Sequence, residues 1–216
     1  MSDTTSNAAV IAAAAAGLAA VSHAAGSTSV DDLIAKITTK DNAVRGPAWQ
    51  GAAPYGAAAV KRLAGVMPDE DFETARSAKR ALWVIVRHAG RPGAAKEATA
   101  VAKELVALLP TAPAATRREV LWMLSEIAGD DAIAAVAALL SDKDVRADAV
   151  ATLMRLPGRK STAAIKSAFA SAPEDFKFAL ADALRKRGEK VAGYPSQKMV
   201  PTRSTTVTQP PAAAAN

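Results

Sequence analysis

The chain of 216 residues contains no cysteine, and this absence excludes disulfide bridges, cysteine-ligated zinc and thiol catalysis together. Histidine is almost as scarce, since the only two, His23 and His88, lie in different segments. A metal site built from two histidines, or a proton relay between them, is therefore not expected. Aromatic residues are 4% of the chain and β-branched residues are also sparse, so the composition gives little support to a sheet.

Motifs that mark enzymes are missing as well. The chain has no Gly-x-Ser-x-Gly sequence, no Walker-type phosphate loop, no dinucleotide-binding fingerprint and no pair of metal ligands at helical spacing. We therefore expect a non-catalytic protein without a cofactor or a metal ion.

What the chain does contain is alanine in large numbers. Half of its residues are hydrophobic, and most of these are small. Alanine is the best helix former, and small side chains let helices approach one another closely. The composition therefore predicts an all-α protein.

Hydrophobic residues recur at helical spacing from Val30 onward. One example is Val30, Leu33, Ile34 and Ile37, which share the i, i+3, i+4, i+7 pattern of a single helix face. Glycines follow the hydrophobic stretches at regular intervals, where a helix would end in a left-handed cap; they are Gly56, Gly90, Gly129, Gly158 and Gly188. The pattern predicts five units of two helices each, which is typical of a helical repeat array; their ranges are 30–56, 57–91, 92–129, 130–158 and 159–188.

One helix of this array resembles the second helix of a HEAT-like repeat. It begins Asp144, Val145, Arg146 and carries Ala149 and Leu153 at the inward positions. Weaker versions begin at Thr116 and at Asp175, and a degenerate one at Asn42. The chain is thus similar to bacterial HEAT-repeat proteins, including those with repeats of the phycobilisome-lyase type. The resemblance implies a right-handed α-solenoid of about five repeats over residues 30–190, and it does not specify a function.

The two ends of the chain have a different composition. Residues 1–29 are rich in alanine, with an uncharged hydrophobic stretch from Ala8 to Val21. They predict either a disordered arm on a cytoplasmic protein or, if residues 1–25 are a signal peptide, export to the periplasm or cell envelope. The stretch is too short to span a bilayer. Residues 191–216, rich in proline and threonine, are predicted to be a disordered tail.

The positive charge of the chain is concentrated near its C-terminal end. Residues 30–154 carry 16 basic and 16 acidic residues, whereas residues 155–190 carry nine basic and four acidic ones. A protein that holds nucleic acid along its length should be basic along its length. The basic end can be a contact for an acidic partner or only the polar cap that a terminal repeat needs; it comprises Arg155, Arg159, Lys160, Arg185, Lys186 and Arg187.

The richest candidate binding surface lies on the predicted second helices. Lys79, Trp83 and Arg87 are spaced i, i+4, i+8 and share a face, and Trp122 belongs to the corresponding helix of the next unit. Trp49 would extend the row of tryptophans. Tryptophan beside cations can anchor a segment that carries a carboxylate. The alternative is that the tryptophans pack between repeats and the cations are merely solvated.

Three functions follow from these patterns. We expect a protein–protein interaction scaffold, whose groove on the second helices binds a partner through an acidic segment at Lys79, Trp83, Arg87 and Trp122. The alternative is a nucleic-acid-binding HEAT-like array, and a third reading is an enzyme or lyase subunit. The neutral charge of residues 30–154 favours the first.

Overall fold

The computed structural model describes residues 29–196, and in that range the chain forms α-helices and short 3₁₀ turns without any β-strand. The all-α prediction is confirmed. The ten α-helices are α1 (Val30–Thr38), α2 (Asn42–Gln50), α3 (Gly56–Val66), α4 (Phe72–Ala89), α5 (Ala95–Leu108), α6 (Ala114–Ile127), α7 (Ile133–Ala138), α8 (Arg146–Arg155), α9 (Arg159–Ser171) and α10 (Glu174–Lys186). The predictions for residues 1–28 and 197–216 lie outside the described residues.

Short polar side chains begin several of these helices. The hydroxyl of Ser29 accepts the amide hydrogen of Asp31 at the start of α1. Asp41 and Asp71 do the same for α2 and α4, with oxygen-to-nitrogen distances of 2.8 and 2.7 Å to the amides of Ala43 and Thr74. Such caps satisfy amide groups that have no partner within the helix.

The helices pack in two rows. In the first row α1 contacts α3 and α3 contacts α5, α5 contacts the 3₁₀ turn Asp130–Ala132 that leads into α7, and α7 contacts α9. In the second row α2 contacts α4, α4 contacts α6, α6 contacts α8, and α8 contacts α10. We call α2, α4, α6, α8 and α10 the even helices. Helices from the two rows also contact each other, as in the pairs α3–α4, α5–α6 and α9–α10.

The predicted apolar stripes form the core between the rows. Leu33 and Ile37 are almost fully buried in the first helix, Leu121 and Leu124 are so in α6, and Leu153 is fully buried in α8. An amphipathic helix buries such an apolar stripe against its neighbours. The hydrophobic periodicity therefore identified the inward face of these helices correctly.

The glycines were predicted correctly in part. Gly188 has a positive φ angle and ends α10 with the paired hydrogen bonds of a Schellman motif, from Gly188 N–H to Arg185 and from Glu189 N–H to Leu184. Gly56 and Gly158 also have positive φ angles, but Gly56 is the first residue of α3 and Gly158 directly precedes α9, so neither ends an α-helix as predicted. The prediction is wrong for Gly90 and Gly129, whose φ angles are −79° and −105°. At Gly90 the chain packs too closely against Ile127 for a larger residue, because a Cβ atom there would lie 2.9 Å from Ile127 Cγ2.

The segment 191–196, at the start of the predicted tail, packs against α9 and α10. The ring of Tyr194 makes edge-to-face contacts with Phe169 and Phe178, with centroid distances of 5.4 and 5.3 Å. Its hydroxyl donates a hydrogen bond to Glu174 at 2.9 Å, and Arg185 donates one to its carbonyl oxygen. The composition of the segment did not predict that Tyr194 packs against two phenylalanines.

Candidate partner-binding site

Lys79, Trp83 and Arg87 lie together on one face of α4. Lys79 Nζ is 2.9 Å from Glu119 Oε1, and the indole N–H of Trp83 donates to Glu119 Oε2 at 3.3 Å. The guanidinium of Arg87 lies over the Trp83 ring, 5.3 Å from its centroid. The three residues share one helix face, as their spacing predicted. Two of them, Lys79 and Trp83, form hydrogen bonds with Glu119 of the same chain.

Glu119 is the site residue that the sequence did not reveal. It belongs to α6 and directly follows Arg117 and Arg118. Its partners lie 36 and 40 residues earlier, so only the packing of α4 against α6 brings them together. A carboxylate that accepts bonds from both Lys79 and Trp83 fixes the orientation of the indole and partly neutralises the cationic surface.

Trp122 lies on α6, three residues after Glu119 and therefore one helical turn away. Its side chain is 44% exposed, while its neighbours Leu121 and Met123 are buried. Trp83, by comparison, is partly buried and packs against the core. An exposed indole is a large rigid apolar surface with a hydrogen-bond donor, which is common in residues that anchor protein interfaces.

The predicted row of tryptophans begins on α2. Trp49 is partly buried, and the guanidinium of Arg80 lies 5.1 Å from the centroid of its ring. Trp49 and Trp83 thus each have an arginine of α4 over the ring, and both pack against the core. Trp122 is the most exposed of the three tryptophans.

The loop after α4 carries an ion cluster of its own. Arg91 donates to both carboxylate oxygens of Glu97 at 2.7 Å, and His88 Nε2 lies 3.8 Å from the same carboxylate. The bond from Arg91 lowers the pKa of Glu97 below its ordinary value, and the same bond raises the pKa of Arg91. These charges are matched within the chain.

Most side chains of the basic end also have hydrogen-bond or ion-pair partners within the chain. Arg155, Lys160 and Lys186 pair with Glu126, Asp130 and Asp182. The hydrogen bond from Lys160 to Asp130 raises the pKa of Lys160. Arg187 donates to carbonyl oxygens at the end of α8, namely those of Leu153, Met154, Leu156 and Gly158. Most of the positive charge in the last two helix pairs therefore takes part in structural contacts.

Within residues 29–196, no cluster of three or more His, Asp or Glu side chains is placed to hold a metal ion. None of the helices in the same range combines the length and the hydropathy that crossing a bilayer requires.

Comparisons with known proteins give little. No family model matches the chain, and no curated protein matches it. Among solved structures, one similar chain is an engineered protein whose crystal structure comes from the Northeast Structural Genomics Consortium, with 21% identity and a TM-score of 0.37. The match covers 71% of this chain and 77% of that one.

Proposed function

We propose that this chain is a right-handed HEAT-like solenoid of five helix pairs that works as a non-catalytic scaffold. It binds a segment of another protein on the face formed by the even helices. The solenoid arrangement is supported by the contacts of alternate helices in each row, since stacked repeats contact only their neighbours.

The observation that carries the binding proposal is the exposure of Trp122 next to a cationic cluster. Lys79, Trp83 and Arg87 lie on the neighbouring helix, and Glu119 joins that helix to the one that carries Trp122. A partner that packs on Trp122 would meet the cations of α4 at its flank. A partner segment with Asp or Glu would complement them.

Glu119 also explains how such a surface stays ordered without a partner. It occupies Lys79 and the indole N–H of Trp83, so both side chains are held in place before binding. A partner carboxylate then has to compete with Glu119 for Lys79, whereas Trp122 and Arg87 are directly accessible. We therefore assign the larger part of the binding energy to Trp122 and Arg87.

Site-specific crosslinking in the native host tests this function. A photo-reactive amino acid replaces Trp122 in one variant and, as a control, Lys61 on α3 in another, because Lys61 is exposed on a helix of the other row. We expect one protein to crosslink to position 122 and not to position 61. Crosslinking at both positions alike, or to nucleic acid, would contradict the proposal.

The captured partner then allows a quantitative test. Trp122→Ala should weaken its binding by about tenfold or more, as truncation of an interface anchor does. Trp122 is exposed, so the free energy of unfolding should change little, and the two effects can be separated. The double variant Lys79→Ala, Arg87→Ala should weaken binding further and make it less sensitive to salt.

A further inference from the structure

Three of the four junctions between even helices contain an arginine–aspartate ion pair, and the fourth, between α4 and α6, contains the pair of Lys79 and Glu119 instead. Arg117 of α6 lies 2.5 Å from Asp142, just before α8. Arg146 of α8 lies 2.6 Å from Asp175 in the first turn of α10. At the first junction, Arg45 of α2 lies 3.8 Å from Asp71, the residue that caps α4.

The arginine occupies the same place in each helix. Its amide N–H closes the first turn, bonding to the carbonyl of Asp41 for Arg45, of Pro113 for Arg117 and of Asp142 for Arg146. In α4 this place belongs to Ala75, whose N–H bonds to the carbonyl of Asp71. The arginine is therefore absent from the junction between α4 and α6.

The acidic half of the pair is absent from the same junction. The residue before α6 is Pro113, where α4 has Asp71, and the second residue of α6 is Ala115, where α10 has Asp175. Uncharged residues thus occupy the places of both the arginine and the aspartate. An open groove of about 470 Å³ lies at this junction. We call it the Phe72 groove; Phe72, Ala75, Arg76, Lys79, Arg80 and Glu119 are among the residues that line it.

The lining of the Phe72 groove is both apolar and cationic. Phe72 is 69% exposed, more than the other exposed large hydrophobic residues of the described chain. Arg76 lies with its guanidinium 5.5 Å from the centroid of the Phe72 ring, its Nη2 is 2.6 Å from Glu73 Oε2, and its Nε–H is buried and lacks an acceptor within residues 29–196. Lys79 is paired with Glu119, whereas Arg80 lies over the ring of Trp49 and has no ion-pair partner in the described residues, so one positive charge is in excess.

We propose that the Phe72 groove binds a short segment of a partner protein in which an Asp or Glu lies beside a large apolar residue. The apolar side chain packs on Phe72, and the carboxylate pairs with Arg80 and competes with Glu73 for Arg76. This inference rests on the proposed scaffold function and places a second contact on the same face.

Charge favours a different protein over a second copy of this chain as the occupant. In a two-fold symmetric dimer the same patch meets itself. Arg76 and Lys79 are paired with Glu73 and Glu119, so the excess positive charge of Arg80 would then face its counterpart in the other copy, and like charges in an interface cost binding energy. An acidic segment has the complementary charge.

The test uses displayed peptide libraries with one Asp or Glu next to Phe, Leu or Trp, and a matched control library with Asn or Gln in place of the acid. We expect the full chain to select peptides from the acidic library only. The variant Phe72→Ala, Arg76→Ala should bind the selected peptides about tenfold more weakly or worse. Lys61→Ala, on α3 in the other row, should bind them as the unchanged chain does.

A second variant restores the missing pair and fills the groove. Ala75→Arg with Pro113→Asp should retain or raise the melting temperature, because aspartate is also a favourable cap for α6, and should abolish peptide binding. Equal binding by this variant, equal selection from the amide library, or dimerisation that Phe72→Ala removes would each overturn the inference. If the peptide tests fail while position 122 of the unchanged groove still crosslinks to a partner, the scaffold function stands and only the groove inference fails.

Discussion

Arg187, at the end of α10, donates a hydrogen bond from Nη1 to the carbonyl oxygen of Leu156, 3.2 Å away at the end of α8. The last carbonyl groups of a helix have no partner within it. The same guanidinium also reaches the carbonyls of Leu153 and Met154 and the hydroxyls of Ser161 and Thr162. One side chain thus closes the C-terminal end of a helix that belongs to the preceding pair.

Arg187→Ala should therefore lower the free energy of unfolding by about 1.5–3 kcal/mol, as loss of hydrogen bonds from a charged donor to buried acceptors does. Lys186→Ala is the matched control, since it removes the same charge from the adjacent position and breaks only an exposed pair with Asp182. That control should cost less than about 0.5 kcal/mol. Equal losses in a denaturant titration would show that net charge, and not the cap, matters.

Leu153→Ala tests the core. The side chain is fully buried on α8. Its truncation should cost about 2–4 kcal/mol through lost burial and the cavity left behind. Val44→Ala on α2, where the side chain is 40% exposed, should cost well under 1 kcal/mol. Similar losses for both variants would mean that the two faces are assigned wrongly.

The ion pairs between even helices predict how stability depends on pH. The hydrogen bond from Arg117 holds the pKa of Asp142 below its ordinary value, and the bond from Arg146 does the same for Asp175. The unfolded chain therefore binds these protons more readily. Stability from these pairs is present above the unfolded pKa of about 4 and is lost as the pH falls through the folded values.

Asp142→Asn should accordingly make the protein less stable at neutral pH and flatten the decline in stability on acidification. Urea titrations at several pH values below about 5 measure this slope. In a chain that already carries Arg117→Gln, the further change Asp142→Asn should alter the slope much less. An unchanged slope in the single variant would exclude this pair as a source of acid sensitivity.

Tyr194 predicts that the segment after α10 contributes to stability. Tyr194→Ala removes two edge-to-face contacts and should cost about 1–2 kcal/mol. Tyr194→Phe keeps the ring and loses only the hydrogen bond to Glu174, so its loss should be smaller. If neither variant changes the denaturant midpoint, the packing of residues 191–196 does not matter energetically.

Glu119→Gln makes a prediction about affinity rather than stability. The amide retains an oxygen for the indole N–H of Trp83 but removes the charge that competes for Lys79. Binding of an acidic partner should become about three- to tenfold tighter at low salt, and the gain should shrink as salt rises. Weaker binding would mean that the partner contacts Glu119 itself.

Local periodicity was enough to predict the helices and their buried faces. Leu33, Leu121 and Leu153 were assigned inward from spacing alone, because burial of an amphipathic stripe depends on residues close in sequence. Gly90 shows the limit of that reasoning. Its place after a helix suggested a left-handed cap. In the structure the glycine instead allows close packing against Ile127 of the next helix pair.

The candidate site could be predicted only in part. The shared face of Lys79, Trp83 and Arg87 follows from their spacing on one helix. Their acceptor, Glu119, and the Phe72 groove depend on how α4 meets α6, which no local pattern encodes. Phe72 in particular, as a single aromatic residue at a helix start, gave no periodic signal.

The cap that Arg187 places on α8 has a consequence for the order in which the protein is made. During synthesis the chain leaves the ribosome from its N-terminal end, and folding can begin before the last residues appear. The carbonyls of Leu153, Met154 and Leu156 cannot form these hydrogen bonds until Arg187, about 30 residues later, has been synthesised. The first three helix pairs can fold as they emerge, while the fourth completes its hydrogen bonds only together with the fifth.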